Sequence, residues 1–384
     1  MNILEEIQNC PVEWKELGEV CEVKAGKNIN KTFIQNNLGN FPVINSGKEP
    51  LGYINIFNIQ NDPIGITSRG AGVGYVSWNE GKYFRGNLNY SATVQNDDIL
   101  LPRFLYFYLK KSSKEIENLC TFDGIPALNK SALDGLSIPI PPIEIQEKIV
   151  QILDKFTEYV TELTSELTSR KKQYSFYRDK LLSFEDEVYQ VEWKRLNEFL
   201  KKGKGTKITA SQMKLLHKEG APIRIFAGGK TYADVNYGDI PDKDIHTEEA
   251  IVVKSRGIID FEYCTEPFSF KNEFWSYSSD NENINLRYIY HYLVHNKEHF
   301  QNIANNMQMP QISSNDTEKF KIPVPSLEIQ SRIVQVLDNF DMVCHDLNIG
   351  LPKEIELRQK QYEYFRDKLL TFIAEGEYTE SRVE

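Results

Sequence analysis

His291, His295 and His299 stand four residues apart, the spacing at which imidazoles on one helical face can hold a metal ion. No glutamate follows His291, so the metalloprotease pattern is missing, and the matching stretch of the first half has Phe107 there. The expectation is a packing or surface role, with no metal site. Ser68-Arg69-Gly70-Ala71-Gly72-Val73-Gly74 is glycine-dense, as phosphate-cradling loops are. It does not spell G-x-G-x-x-G, and no Gly-Lys-Ser/Thr follows it, so it reads as a turn. Asn61-Asp62-Pro63-Ile64 begins like the Asp/Asn-Pro-Pro-aromatic motif of adenine methyltransferases but lacks the second proline and the aromatic. A nuclease cluster ending in Glu-x-Lys is not found either, so no catalytic residue is assigned. The chemistry left is that of cations. Lys27, Lys48, Arg69, Lys82 and Arg85 in the first half, and Lys202, Lys204, Lys207, Lys230, Lys254 and Arg256 in the second, are candidate DNA contacts, although any one of them taken singly reads first as an ordinary solvated charge. Lysine and arginine fix register on phosphates, and arginine reads base edges bidentately. The run Lys201–Lys207, KKGKGTK, is the best phosphate candidate. Ser-Arg-Gly occurs in both halves, at 68–70 and 255–257, as recognition elements or scaffold turns.

The elements that position these residues are written twice. Between Ile138–Phe156 and Ile322–Phe340, 12 of 19 positions are identical, and between Gln173–Leu182 and Gln361–Leu370, 7 of 10 are. Such a repeat fixes the architecture before any local reading. VEWK opens each unit, at Val12 and Val191, which divides the chain at about residue 190. A Pro-x-Pro stretch (Pro139/Pro141, Pro323/Pro325) precedes each long helix. The first helix carries Ile149, Leu153, Phe156, Leu163, Leu167, Tyr174, Tyr177 and Leu181 along a seam of steps of four and three. The second repeats it with Ile333, Leu337, Phe340, Leu347, Tyr362, Phe365 and Leu369. A 3.5-residue period defines a coiled-coil seam. Gly350-Leu351-Pro352 interrupts the second copy, since glycine past one helix and proline opening the next spell stop and restart.

Before each helix, short apolar runs bounded by Gly, Asn and Asp (PVINS, IGITSR, GYVSW, SATV; APIRIF, AIVVKS, IIDFEY) read as strands. Residues 103–119 and 286–304 read as amphipathic helices, so each globular region is α+β. The net charge of −10 argues against coating nucleic acid by bulk electrostatics, though not against local basic patches. Five cysteines without paired spacing, no run of 18 apolar residues and no basic-then-apolar N-terminus fit a cytoplasmic protein without a membrane span.

VEWK at each opening, IPIPPIEIQEKIVQILDKF with RKKQYSFYRDKLLSF, and IPVPSLEIQSRIVQVLDNF with RQKQYEYFRDKLLTF resemble the specificity subunit of type I restriction–modification enzymes. The likeness covers essentially the whole chain. It implies a first target recognition domain at 1–142 and a central helical spacer at 143–187. A second recognition domain at 188–325, a C-terminal helix at 326–373 broken near Gly350–Pro352 and a frayed acidic tail at 374–384 would follow. The two helices would pack antiparallel in a pseudo-twofold subunit, each domain would read half of a bipartite asymmetric DNA site, and the helices would set the spacing. Two modification subunits would bring S-adenosylmethionine, motor–nuclease subunits would bring ATP and Mg²⁺, and this chain would hold no cofactor and catalyse nothing. The competing reading is a coiled-coil adaptor without a DNA role.

Overall fold

A computed structural model describes residues 3–184, 191–305 and 309–372. The expected tail at 374–384 and the boundary at 187/188 lie outside the described residues. The chain forms two compact units, one of residues 1–164 and 355–384, the other of residues 165–354. Each unit therefore draws its helices from both copies of the repeat.

In the first unit the opening strand Glu13–Glu16 pairs antiparallel with the closing strand Ser137–Ile140, Trp14 facing Pro139. The proline tolerates this place because a two-stranded ribbon leaves one edge unpaired. Inside that clasp, Leu38–Ile44 pairs in parallel with Lys82–Arg85, and Ile64–Thr67 lies between Val76–Trp78 and Asn89–Ser91. The helices Pro102–Lys111 and Ser113–Asn118 cover the core with Phe104, Leu105, Phe107, Leu109 and Ile116.

The second unit repeats the plan. Glu192–Arg195 pairs with Lys321–Val324, Trp193 facing Pro323. Ile223–Phe226 pairs in parallel with Phe268–Phe270, and Ala250–Lys254 lies between Asp260–Cys264 and Trp275–Ser278. Lys201–Lys204 is the edge strand beside Trp275–Ser278. Leu286–His295 and Lys297–Ala304 take the place of the first unit's helices.

The long helix Ile143–Ser183 is continuous over 41 residues. Ile149 and Leu153 are fully buried in the first core, and each such aliphatic contributes about 1.5–3 kcal/mol. Within the first unit Phe156 stacks on Phe365 at 5.3 Å and Arg358 lies 5.2 Å from the Tyr159 ring. Rising numbers on one helix meet falling numbers on the other, so that pair is antiparallel. Leu163 and Leu369 are buried, while Leu167 and Tyr362 are half-buried. Within the second unit Tyr174 packs on His345 at 5.6 Å and Tyr177 on Phe340 at 5.8 Å, again antiparallel. Ile333 and Leu337 enter the core there; Leu182 does so in place of its half-buried neighbour Leu181.

The interruption falls where the sequence placed it, between the helices Leu327–His345 and Leu351–Leu369. Asp346 stops the first, its carboxylate accepting the N–H groups of Asn348 (2.7 Å) and Ile349 (3.2 Å). Gly350 is required by a close approach: a Cβ there would lie 2.5 Å from the Met342 carbonyl oxygen. This corrects the seam at Leu347. It lies in the turn rather than on a helix and is 71% exposed.

Candidate nucleic-acid interface

Two buried glutamines fix each globular region to its helix. Gln146 donates to the carbonyls of Ile99 and Pro141, both at 2.8 Å, and accepts from the Leu101 N–H at 2.9 Å. Gln330 does the same with Asn283 (3.1 Å), Pro325 (2.7 Å) and the Asn285 N–H (2.9 Å). A few residues on, Arg103 reaches Asp154 at 2.8 Å and Arg287 reaches Asp338 at 2.9 Å. Sequence reasoning did not single out these residues; their signal was identity at equivalent places in both repeats.

On this frame each unit presents a turn rimmed by cations. In the first it is Gly86-Asn87-Leu88. The Gly86 N–H donates to Ile44, the Leu88 N–H to the Asn45 side chain (2.9 Å), and the Leu88 carbonyl accepts from Ser68. Lys27 is bridged to Gly86, its N–H reaching the Arg85 carbonyl at 2.9 Å, and Gly26 must be glycine because a Cβ would meet that carbonyl oxygen at 2.3 Å. Exposed Lys27 and Arg69 thus flank one turn, and Lys48 follows Asn45 by three residues, its ammonium 5.6 Å from the Tyr75 ring. Lys82 is exposed over Phe57, at the other end of its strand.

In the second unit the corresponding turn is Lys271–Glu273. Thr206 is bridged to Lys271, the Ser255 hydroxyl donates to the Glu273 carbonyl at 2.8 Å, and Gly205 takes the place of Gly26. Lys204, Lys207, Lys230 and Arg256 are exposed. Lys201 and Lys202 are committed, the first to Asp280, the second to Glu318 at 2.6 Å and Ser314 at 3.1 Å.

Two candidates are corrected. Arg85 is 2% exposed, and its guanidinium bonds Asp62 Oδ2 at 2.7 Å, the Asp62 and Ile64 carbonyls and the Tyr83 hydroxyl. Burial holds the Tyr83 phenol up at about 12, so it stays a neutral donor to the Asp62 carbonyl. Asp62, within the stretch compared with a methyltransferase motif, is thus an internal anchor. Lys254 is also 2% exposed, held by Glu262 at 2.6 Å and the Gly229 carbonyl at 2.9 Å. Neither cation is available to a phosphate. Strand alternation does not reveal this, because both belong to strands buried along almost their whole length.

The three histidines separate. His291 is buried and bonds Asp338 at 2.7 Å, His295 faces Asp179 at 3.6 Å, and His299 packs on Phe300 and Phe320. Burial pushes the His291 imidazole below its ordinary value against the opposing pull of Asp338. His291, Asp338 and Asp341 offer donor atoms within 4.8 Å of one another, but Arg287 already occupies Asp338. The glycine-dense stretch is a turn, with Gly70 and Gly74 at φ +95° and +80°.

Fold and surface together define a class: a duplicated α+β protein in which two globular regions repeat one frame and differ at their cationic rims. Residues 11–170 and 190–357 match the family described as type I restriction modification DNA specificity domain. The chain is 32% identical over 403 residues to the Escherichia coli type I restriction enzyme EcoR124I/EcoR124II specificity subunit, covering 97% of each. It is 30% identical over 379 residues to a type I specificity subunit sequence of Mycoplasma pneumoniae, covering 93% of this chain and 97% of that one. The crystal structure of a type I restriction–modification S subunit from M. genitalium shares the fold, with a TM-score of 0.70 at 20% identity, over 95% of this chain and 98% of that one. The chain belongs to the type I restriction–modification DNA specificity family. Among the described residues, no helix is long and apolar enough to cross a membrane.

Proposed function

We propose that this chain is the non-catalytic, sequence-reading subunit of a type I restriction–modification complex. Each globular region reads one half of a bipartite, asymmetric site in double-stranded DNA, and the helices set the half-site spacing. Two modification subunits dock on the helical frame and bring S-adenosylmethionine for adenine methylation. Where motor–nuclease subunits join, they bring ATP and Mg²⁺. The observation that carries this reading is the contrast between a frame repeated bond for bond and rims that differ. Gln146 and Gln330 hold their helices alike, whereas the turn at Gly86–Leu88 meets Lys27 and the equivalent turn at Lys271–Glu273 meets Thr206. A shared scaffold with different loops supports two different half-sites, because phosphate contacts set register and base contacts specify.

The test is methylome sequencing of host DNA with the gene present and deleted. Loss of N6-methyladenine at one bipartite, non-palindromic motif is expected. Unchanged methylation in a host shown to express the modification subunit would overturn the reading.

A further inference from the structure

We infer that Arg69 and Arg256 are the equivalent base-reading side chains of the two domains, each set to a guanine; this rests on the DNA-recognition reading above. The two arginines are presented by the same backbone device. Arg69 is bridged antiparallel to Ala127, with the Gly70 N–H donating to the Pro126 carbonyl and the Leu128 N–H to Ser68, both at 2.9 Å. Arg256 is bridged antiparallel to Gln311, with Gly257 donating to Pro310 (2.8 Å) and Ile312 to Ser255 (3.0 Å). Each serine is buried, each arginine is exposed, and each glycine has a positive φ, +95° and +76°. The triplet is therefore both things the sequence left open: serine and glycine build the turn, and the arginine is what the turn holds out.

The other arginines of the globular regions differ. Arg85, Arg103, Arg224 and Arg287 are in ion pairs with Asp62, Asp154, Asp234 and Asp338. Arg195 lies in the clasp opposite Lys321, away from the rim. Against the upward push of burial, the Glu273 carboxyl is lowered chiefly by Lys271, which bonds it at 2.6 Å, and Arg256 adds the smallest contribution, through space. A planar guanidinium on a backbone clamped on both sides is preorganised for the O6/N7 edge of guanine in the major groove. The flanking lysines are flexible point charges suited to phosphate.

The experiment is selection from a randomised double-stranded DNA pool by the complete complex, with sequencing of the bound fraction. The parent should enrich a bipartite motif. Arg69→Ala should lose the preference for one guanine in one half-site, by about tenfold to a hundredfold, and leave the other half unchanged. Arg256→Ala should do so in the opposite half. Arg69→Lys keeps the charge but loses the planar fork, so it should weaken the preference for that guanine without moving the position to another base, whereas Arg69→Gln should move that position toward adenine. An unchanged motif with uniformly weaker binding and a salt slope lower by about one would make Arg69 a phosphate contact and overturn the inference. Retention of the guanine by Arg69→Gln, or a change in both halves, would overturn it as well. A parent complex that enriches nothing would sink the DNA-recognition reading itself, and this inference with it.

Discussion

Replacing Gln146 by alanine should loosen the first recognition domain from its helix. Gln146 is completely buried and satisfies three backbone groups: the Leu101 N–H and the carbonyls of Ile99 and Pro141. Truncation strands all three and removes the side-chain volume. A buried group left without its partner costs about 1–3 kcal/mol, and carbonyls, with two lone pairs, tend toward the low end. The sum is about 3–5 kcal/mol, a large share of the roughly 5–15 kcal/mol that holds a domain together. Hydrogen exchange at the Leu101 amide reads the effect locally, and at about 1.4 kcal/mol per decade its protection should fall by about two to four orders of magnitude. Gln146→Leu fills the volume but leaves the same three groups unpaired, so it should lose protection almost as much. Gln330→Ala should act on the Asn285 amide and leave Leu101 as it is. Protection at Leu101 within threefold of the parent in Gln146→Leu would refute the hydrogen-bond argument and leave packing as the cause.

Arg85→Met should destabilise the first unit by about 3–5 kcal/mol in urea titration, because it strands the Asp62 carboxylate; Arg69→Ala, on an exposed turn, should stay within about 0.5 kcal/mol. The depressed His291 value means the unfolded chain takes up a proton there before the folded one does as pH falls below about 6.5. Stability from this group is thus complete above that pH and is lost on acidification, so His291→Phe, which copies Phe107, should lose less stability between pH 7.5 and 5.5 in the same titration. One heptad inserted between Leu163 and Tyr174, with a compensating heptad in the partner helix, adds about 10 Å, the length of about three base pairs. Methylome sequencing should find a longer spacer between unchanged half-sites; altered half-sites with the old spacer would end the idea that the helices measure distance.

The duplication, the strand and helix content and a break near Gly350 were legible in the sequence, because periodicity, proline and glycine act locally. The seam was legible over most of the helical stretches, as at Leu153, Phe156 and Phe365, but near the end of the first long helix Leu182 rather than Leu181 enters the core. It failed at Leu347 because Asp346 turns the backbone before that residue can face a partner. The repeat also made the frame visible, although not the reason for it. That Gln146 and Gln330 stand at equivalent places in the two copies is sequence; that each closes three backbone groups is tertiary.

The cations show where the limit falls. A lysine or arginine looks the same in one dimension whether it faces water or a carboxylate far along the chain. Asp62 lies 23 residues from Arg85 and Glu262 lies 8 from Lys254, and only the folded strands bring them within 2.7 and 2.6 Å. Residue order alone shows that two similar regions alternate with two long helices and that each region carries basic residues in its loops and strands. The tertiary structure decided which of those charges are buried anchors and which stand on the rim. Burial depends on what the sheet places opposite each side chain, and that is settled by long-range pairing.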